Sequence, residues 1–302
     1  MKKIKVVLSL ITSDNDFQRE QARAAKATAA QLGVEVQILY AENDAVTQSQ
    51  QLLKIIQAAP KPDVDAILVE PAGGTPMAQV ARAAAMAKVG WVLLNRDADY
   101  LESLRGAYKV PVFSVSADHE EVGKIQAKQF GALLPRSGTV LYVQGPSMSS
   151  VAKFRTLGVQ SALNGKIHLK VLRSANWTEA SGYNAIASWL RLSTSLQEQI
   201  EVVGCQNDYI AMGARKAFQE LSSDAGQERF SKLFFTGVDG MLNTGRAWVS
   251  KGLLTATVIV PAIASPALEM LVKAIETGNQ PPAVTFVQPA SFPELGKLTP
   301  SA

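Results

Sequence analysis

Asn95-Arg96 follows directly on the apolar run Trp91 to Leu94, and Gln206-Asn207-Asp208 follows directly on Ile200 to Cys205. Arg, Asn and Asp are planar, hydrogen-bonding side chains suited to gripping vicinal hydroxyls. Other segments place polar or aromatic residues where apolar runs give way: Asp14-Asn15-Asp16-Phe17, Glu70 to Thr75, Lys153 to Arg155, Asn176-Trp177 and Val238-Asp239. Phe17 and Trp177 offer flat apolar faces for the C–H side of a sugar ring. Two polar strand tips, far apart in the chain, suggest two similar lobes gripping one polar ligand. Local roles compete with this reading. Asp14 or Asp16 could cap the first helix, Asn207 or Asp208 could cap theirs, and Trp177 could fill a core. Capping does not explain Arg96, because Arg is not an N-cap residue.

Short apolar runs alternate with longer amphipathic ones, the pattern of βαβ units on a parallel sheet. Strands are predicted over Ile4 to Leu10, Val34 to Tyr40, Ala66 to Val69 and Trp91 to Leu94. Helices are predicted over Phe17 to Leu32, Val46 to Ala59 and Ala78 to Lys88, the first with Ala22, Ala25, Ala29 and Leu32 on one face and Gly33 as its stop. The rhythm restarts with strands over Thr139 to Val143, Ile167 to Leu172, Ile200 to Gly204, Leu233 to Thr236 and Leu254 to Val260. One later helix carries Ile210, Ala214, Ala217 and Leu221 on a single face. Another carries Ala264, Leu268, Leu271 and Ile275, and Val284 to Val287 reads as a last strand. The stretch Tyr100 to Ser116, broken by Pro111, is the expected first passage between lobes.

At 302 residues the chain is long enough for two ordinary domains. Its 30 Lys+Arg against 26 Asp+Glu give +4, scattered rather than clustered, which argues against a nucleic-acid partner. Cys205 is the only cysteine, so an internal disulfide is excluded and an inert buried thiol is expected. Met1 to Ile11 mimics the start of a secretory leader, but its apolar run is short and lacks a small-residue cleavage site. It is read as the first core strand, with any export signal absent from this chain. No run is long enough to span a bilayer. Phosphate-loop, dinucleotide, zinc-protease and nucleophile-elbow patterns are missing. His119 is expected to open a helix and His168 to lie on a strand, neither with a metal-ligand partner. No catalytic residue, metal or cofactor is therefore expected.

In the order and spacing of these words the chain resembles the type I periplasmic sugar-binding proteins, a fold shared with the effector domains of lac-repressor-type regulators. The words are Ser13 to Phe17, Leu94-Asn95-Arg96, Ser116-Ala117-Asp118 with Gly123, and Gln144-Gly145 with Arg155-Thr156-Leu157-Gly158. They continue with Asn176-Trp177, Gln206-Asn207-Asp208 and Gly237-Val238-Asp239-Gly240. The resemblance implies an α/β protein of two Rossmann-like lobes joined by three hinge crossings, near Ser116, Val260 and Thr285. The lobes would be residues 1–116 plus 261–285, and 117–260 plus 286–302.

The implied function is capture of a sugar or polyol in an interlobe cleft by hinge closure, for an ABC transporter permease. The chain would act as a monomer without membrane insertion. It would be extracytoplasmic by resemblance, or cytoplasmic if complete as written. Asp14, Asn15 and Phe17, with Asn95 and Arg96, fall on the family's first-lobe ligand contacts. Arg155, Trp177, Asn207 and Asp239 fall on those of the second, and Arg96 and Arg155 should face one another. Asn95 departs from a common aspartate, and Val238 and Val260 from larger or more polar residues, which implies extra room and favours a hexose, inositol or substituted sugar over ribose. Two alternatives accompany this reading: a sensor domain of the same fold feeding a kinase or regulator, and a carboxylate-dependent enzyme using Asp14 with Asp16.

Overall fold

The computed structural model describes residues 3–300 apart from 73–76, 97, 175, 193, 196–197, 222–229 and 231; the side chain of Leu221 is also outside the description. The expected positions Gly73 to Thr75, and the side chain of Leu221, therefore lie outside the described residues. The chain divides into two compact units, Met1–Ala117 with Ala262–Val287, and Asp118–Pro261 with Gln288–Ala302.

The first unit contains β1 (Lys5–Leu10), α1 (Asp16–Leu32), β2 (Glu35–Tyr40), α2 (Ala45–Ile56), β3 (Ala66–Val69), α3 (Ala78–Met86), β4 (Gly90–Leu94), α4 (Tyr100–Ala107) and β5 (Val112–Ala117). The returning chain adds α10 (Ala264–Thr277) and β11 (Val284–Val287). The sheet order is β11-β5-β4-β3-β1-β2, with every pair parallel. Parallel strands covered on both faces must be apolar throughout, and β3 and β4 are buried at every residue. Along β1, Val6, Leu8 and Leu10 join the core formed with the α1 alanines Ala22, Ala25 and Ala29 and the α10 residues Leu268 and Leu271. Val7 joins the opposite core with Leu52, Val80, Trp91 and Leu101. The alternation along one strand thus divides the two helical layers. Gly33 ends α1 in the left-handed conformation at φ 68°, as its position implies.

Tyr100 to Ser116 is not a passage between units. Leu101 and Leu104 are buried on α4, and Val112 to Ala117 form a fully buried strand of the first sheet. Pro111 introduces that strand, and its carbonyl accepts a 2.8 Å bond from the Trp91 N–H. Ser114 and Ser116 disguised the strand in the sequence, yet both are buried.

The second unit contains α5 (His119–Leu133), β6 (Gly138–Gln144), α6 (Ser150–Ala162), β7 (Ile167–Arg173), α7 (Glu179–Leu190), β8 (Val202–Cys205), α8 (Asp208–Leu221), β9 (Phe234–Asp239), α9 (Gly245–Ser250), β10 (Ala256–Ile259) and the short β12 (Ala290–Phe292). Its order is β12-β10-β9-β8-β6-β7. Only β12, absent from the sequence prediction, is antiparallel. His119 opens α5 and is buried, whereas His168 lies exposed on β7. Cys205 is buried, and burial pushes its thiol well above the ordinary range. Among the described residues no helix is long and apolar enough to cross a membrane, and no cluster could hold a metal ion.

Helices α5 and α6 meet through glycine: a Cβ at Gly123 would overlap the Arg155 carbonyl, and one at Gly158 would overlap the Glu120 carbonyl. Gly131, on the same α5, has nothing near its missing Cβ. Gly123→Ala should therefore lower the unfolding free energy by about 1–3 kcal/mol through overpacking. Gly131→Ala should raise it by about 0.5–1 kcal/mol through lost chain entropy in the unfolded state. Urea titration of the two variants checks the pair, and equal effects would contradict the close approach.

Candidate functional site

In the first sheet the strand order reverses between β1 and β3, and ligands of open α/β sheets bind beyond strand ends at such a point. Three segments meet there. Gln18, in the first turn of α1, accepts a 3.0 Å bond at Oε1 from the Ile11 N–H. Its Nε2 donates at 2.8 Å to Oε2 of Glu70, which follows β3. Glu70 is 2% exposed, and its Oε1 accepts from Asn95 Nδ2 at 2.9 Å. Asn95 sits in the left-handed region at φ 56°, tolerable for Asn and costly for most other residues. That turn lets its carbonyl accept from Arg96 Nη1 at 2.8 Å, while the same nitrogen lies 3.8 Å from Glu70 Oε1. Arg96 is 9% exposed, and its Nε has no hydrogen-bond partner among the described residues. Burial lowers the Arg96 pKa and the Glu70 charge opposes that fall.

The second sheet reverses between β6 and β8. Gln206, just past β8, accepts at Oε1 from the Gly145 N–H at 2.8 Å, while its Nε2 donates to the Ala152 carbonyl at 2.9 Å. Arg155, on α6 and 3% exposed, donates through Nη1 to the Gln206 carbonyl. Its Nη2 lies 3.7 Å from Asp239 Oδ1, and its guanidinium carbon stands 5.8 Å from the centroid of the Trp177 ring. The Trp177 indole occupies the space that a Cβ at Gly145 would need, so this close approach requires glycine. Asn207 donates to the Trp177 carbonyl at 3.0 Å and accepts from the Ile210 N–H at 2.8 Å, capping α8. Asp208 is fully withdrawn from water. Its Oδ2 accepts from the Gly240 N–H at 2.8 Å and its Oδ1 from Thr257 Oγ1 at 2.6 Å.

Residues 6–280 match the family model described as periplasmic binding protein domain. The chain belongs to that family. It is 23% identical over 300 residues to the galactofuranose-binding protein YtfQ of Escherichia coli, covering 97% of this chain and 89% of the relative. It is 25% identical over 281 residues to a D-apiose import binding protein of Paraburkholderia graminis, covering 90% and 82%. A Caulobacter myo-inositol binding protein, solved with myo-inositol bound, shares the fold at a TM-score of 0.80 and 23% identity, with 98% of this chain and 94% of that one covered. Both curated relatives are named as binding proteins.

Within this family member, Asn95 and Arg96 gather at one strand tip of the first unit. Arg155, Trp177, Asn207 and Asp239 gather at the second. Asn15 caps α1, accepting at 2.9 Å from the Gln18 N–H, so the expected cap at Asp14 or Asp16 is corrected by one residue. Phe17 follows in the same turn and is buried. Asp14 is exposed, its N–H donating to Thr12 Oγ1 at 3.2 Å, and Asp16 pairs with Arg19. Val238 and Val260 are fully buried, so neither leaves space open to solvent. Trp177 is half-buried and also packs against the apolar core of its unit.

Gln18 belongs to no motif in the sequence, where Glu70, Gln206 and Asp208 stand out only as strand-end or capping residues. One signal was available: Gln18 lies on the same helical stripe as Ala22, Ala25 and Ala29, where a polar residue must meet a buried partner.

Burial, and then the charge of Asp239, push the Asp208 carboxyl well above its ordinary 3.8, against the pull of Thr257, the Gly240 N–H and Arg155. A raised folded-state value favours the fold while the group is protonated. That contribution is complete below the ordinary value and is lost as pH rises through the raised one. Asp208→Asn can still accept from Gly240 and can donate to Thr257. Its unfolding free energy in urea should fall less than that of the unmodified protein between about pH 4 and pH 8. Identical pH slopes would refute the assignment.

Proposed function

We propose that this protein reversibly captures a sugar or sugar-like polyol as the substrate-binding component of an ABC importer. The polar strand tips of its two units would engage the ligand as the hinge closes. The observation carrying this reading is the buried arginine beside a carboxylate at each tip, Arg96 with Glu70 and Arg155 with Asp239. Such a fork donates in a plane to paired oxygens, and a neighbouring carboxylate holds its charge out of water. The names of the relatives support the ligand class: galactofuranose, apiose and myo-inositol are all polyhydroxylated and uncharged. Trp177, with Arg155 on its ring, adds an aromatic wall for the apolar side of such a ligand. Asp14, Asn15, Phe17 and Asn207 complete the proposed contacts. The proposed setting is extracytoplasmic, with an ABC permease as partner and the binding protein a monomer.

A thermal-shift panel of pentoses, hexoses, inositols and nucleosides tests the reading, because a ligand at 100 times its dissociation constant stabilises the fold by about 2.7 kcal/mol. A shift confined to sugars or polyols is expected; a silent sugar panel would overturn the reading. For the best binder, Arg96→Ala and Arg155→Ala should each weaken affinity more than about tenfold, since a charged hydrogen bond contributes about 1.5–3 kcal/mol. Calorimetric titration checks both variants, and unchanged affinity would remove that arginine from the site. The intrinsic fluorescence change on ligand addition should largely vanish in Trp177→Phe; an undiminished change would assign the signal to another tryptophan.

A further inference from the structure

The bonds around Glu70 have a direction, and the direction fixes what Asn95 can offer. A backbone N–H only donates, so the Ile11 N–H commits the Gln18 carbonyl oxygen to accepting. The Gln18 amide nitrogen must then donate, and it does so to Glu70 Oε2. The second Glu70 oxygen faces the Asn95 amide and receives its N–H. Arg96 Nη1 lies 3.8 Å from that same Glu70 oxygen. The chain of donors therefore runs from Ile11 through Gln18 to Glu70, where the Asn95 amide meets it as a second donor.

We propose that Glu70 is the positioning and specificity-setting residue of the first-unit tip: it locks the Asn95 amide with its nitrogen toward β3 and its carbonyl oxygen away from it. Asn95 then acts as an acceptor for a ligand O–H beside the donor Arg96. A carbonyl oxygen has two lone pairs, so a second bond to it does not exclude the ligand. The pair is matched to a sugar hydroxyl and mismatched to a ring or ether oxygen in the same place. The inference rests on the sugar-binding reading proposed above.

The test moves the carboxylate from Glu70 to its hydrogen-bond partner at position 95. In Glu70→Gln, the new amide must accept from Gln18 and therefore turn its nitrogen toward Asn95, which has to flip. Calorimetric titration uses the tightest binder among D-ribose, D-allose, D-galactose, D-fructose and myo-inositol. Glu70→Gln should weaken it by about tenfold or more, the loss expected when a charge-assisted contact is inverted. Asn95→Asp alone sets two carboxylates face to face and should weaken it as well. The double variant Glu70→Gln with Asn95→Asp restores a donor facing an acceptor, and should recover affinity to within about threefold of the unmodified protein.

Recovery by the second substitution is not expected of a merely structural glutamate. A double variant no better than Glu70→Gln would overturn the proposal. If none of the five sugars binds the unmodified protein, that silence counts against the sugar reading. The same coupling is then read in the thermal unfolding midpoints without ligand: both single variants should unfold earlier and the double variant should recover. Additive losses would refute the lock itself.

Discussion

A carboxyl group stripped of water at the end of a parallel strand demands hydrogen bonds, and a counter-charge if it is ionised, because leaving it alone costs more than most single contacts return. Glu70 and Asp208 both stand under this constraint, one after β3 and the other after β8. Glu70 is answered by Gln18, Asn95 and Arg96, drawn from the start of α1 and the end of β4. Asp208 is answered by the Gly240 N–H and Thr257, drawn from the end of β9 and from β10. Satisfying each acid therefore fixes the neighbouring strand ends, and those ends carry the residues proposed to meet ligand.

The two units repeat a sheet order without repeating a local design. In both, the reversal lies beside the first strand of the unit's sheet: β1 with β3, and β6 with β8. Both set an arginine near an acid, and both use a non-glycine residue at positive φ, Asn95 at 56° and Asp239 at 103°. The sources of the charges differ. In the first unit the acid follows β3 and the arginine follows β4. In the second the arginine comes from α6 and the nearby acid from the end of β9. Similar chemistry has arisen on different elements because the switch point offers the same opening in each sheet.

What could be read in the sequence follows from how local each signal is. Strands buried on both faces announce themselves as unbroken apolar runs, so Ala66 to Val69 is bounded correctly from composition alone. The α1 stop at Gly33 is equally local. β5 was hidden because Ser114 and Ser116 interrupt its apolar run, and β12 because three residues beside Pro293 carry no period. The strand-tip residues were visible as types but not as a network. Glu70 with Gln18 joins positions 52 residues apart, and Thr257 with Asp208 joins positions 49 apart. Pairings at such separation leave no trace in one sequence. Buried glutamines are the hardest case, because a glutamine on a helix reads as solvent-facing until its stripe is compared with its neighbours.

The way the arginines are held bears on how the proposed polar but uncharged ligand could be bound firmly yet released. A free arginine side chain carries about 2 kcal/mol of rotamer entropy, which a ligand must remove if folding has not. Arg96 is anchored to the Asn95 carbonyl and Arg155 to the Gln206 carbonyl, both at strand ends whose positions the sheet already determines. Their freedom is lost during folding, so little ordering remains for the binding step. The neighbouring acids set the opposite limit. Each guanidinium has part of its charge balanced at 3.8 Å or 3.7 Å by Glu70 or Asp239, so it does not need an anionic ligand for neutrality. A hydroxyl can share the remaining donor capacity without displacing the carboxylate. An ordered fork with a resident counter-ion thus suits the neutral polyols proposed as ligands better than it would suit anions.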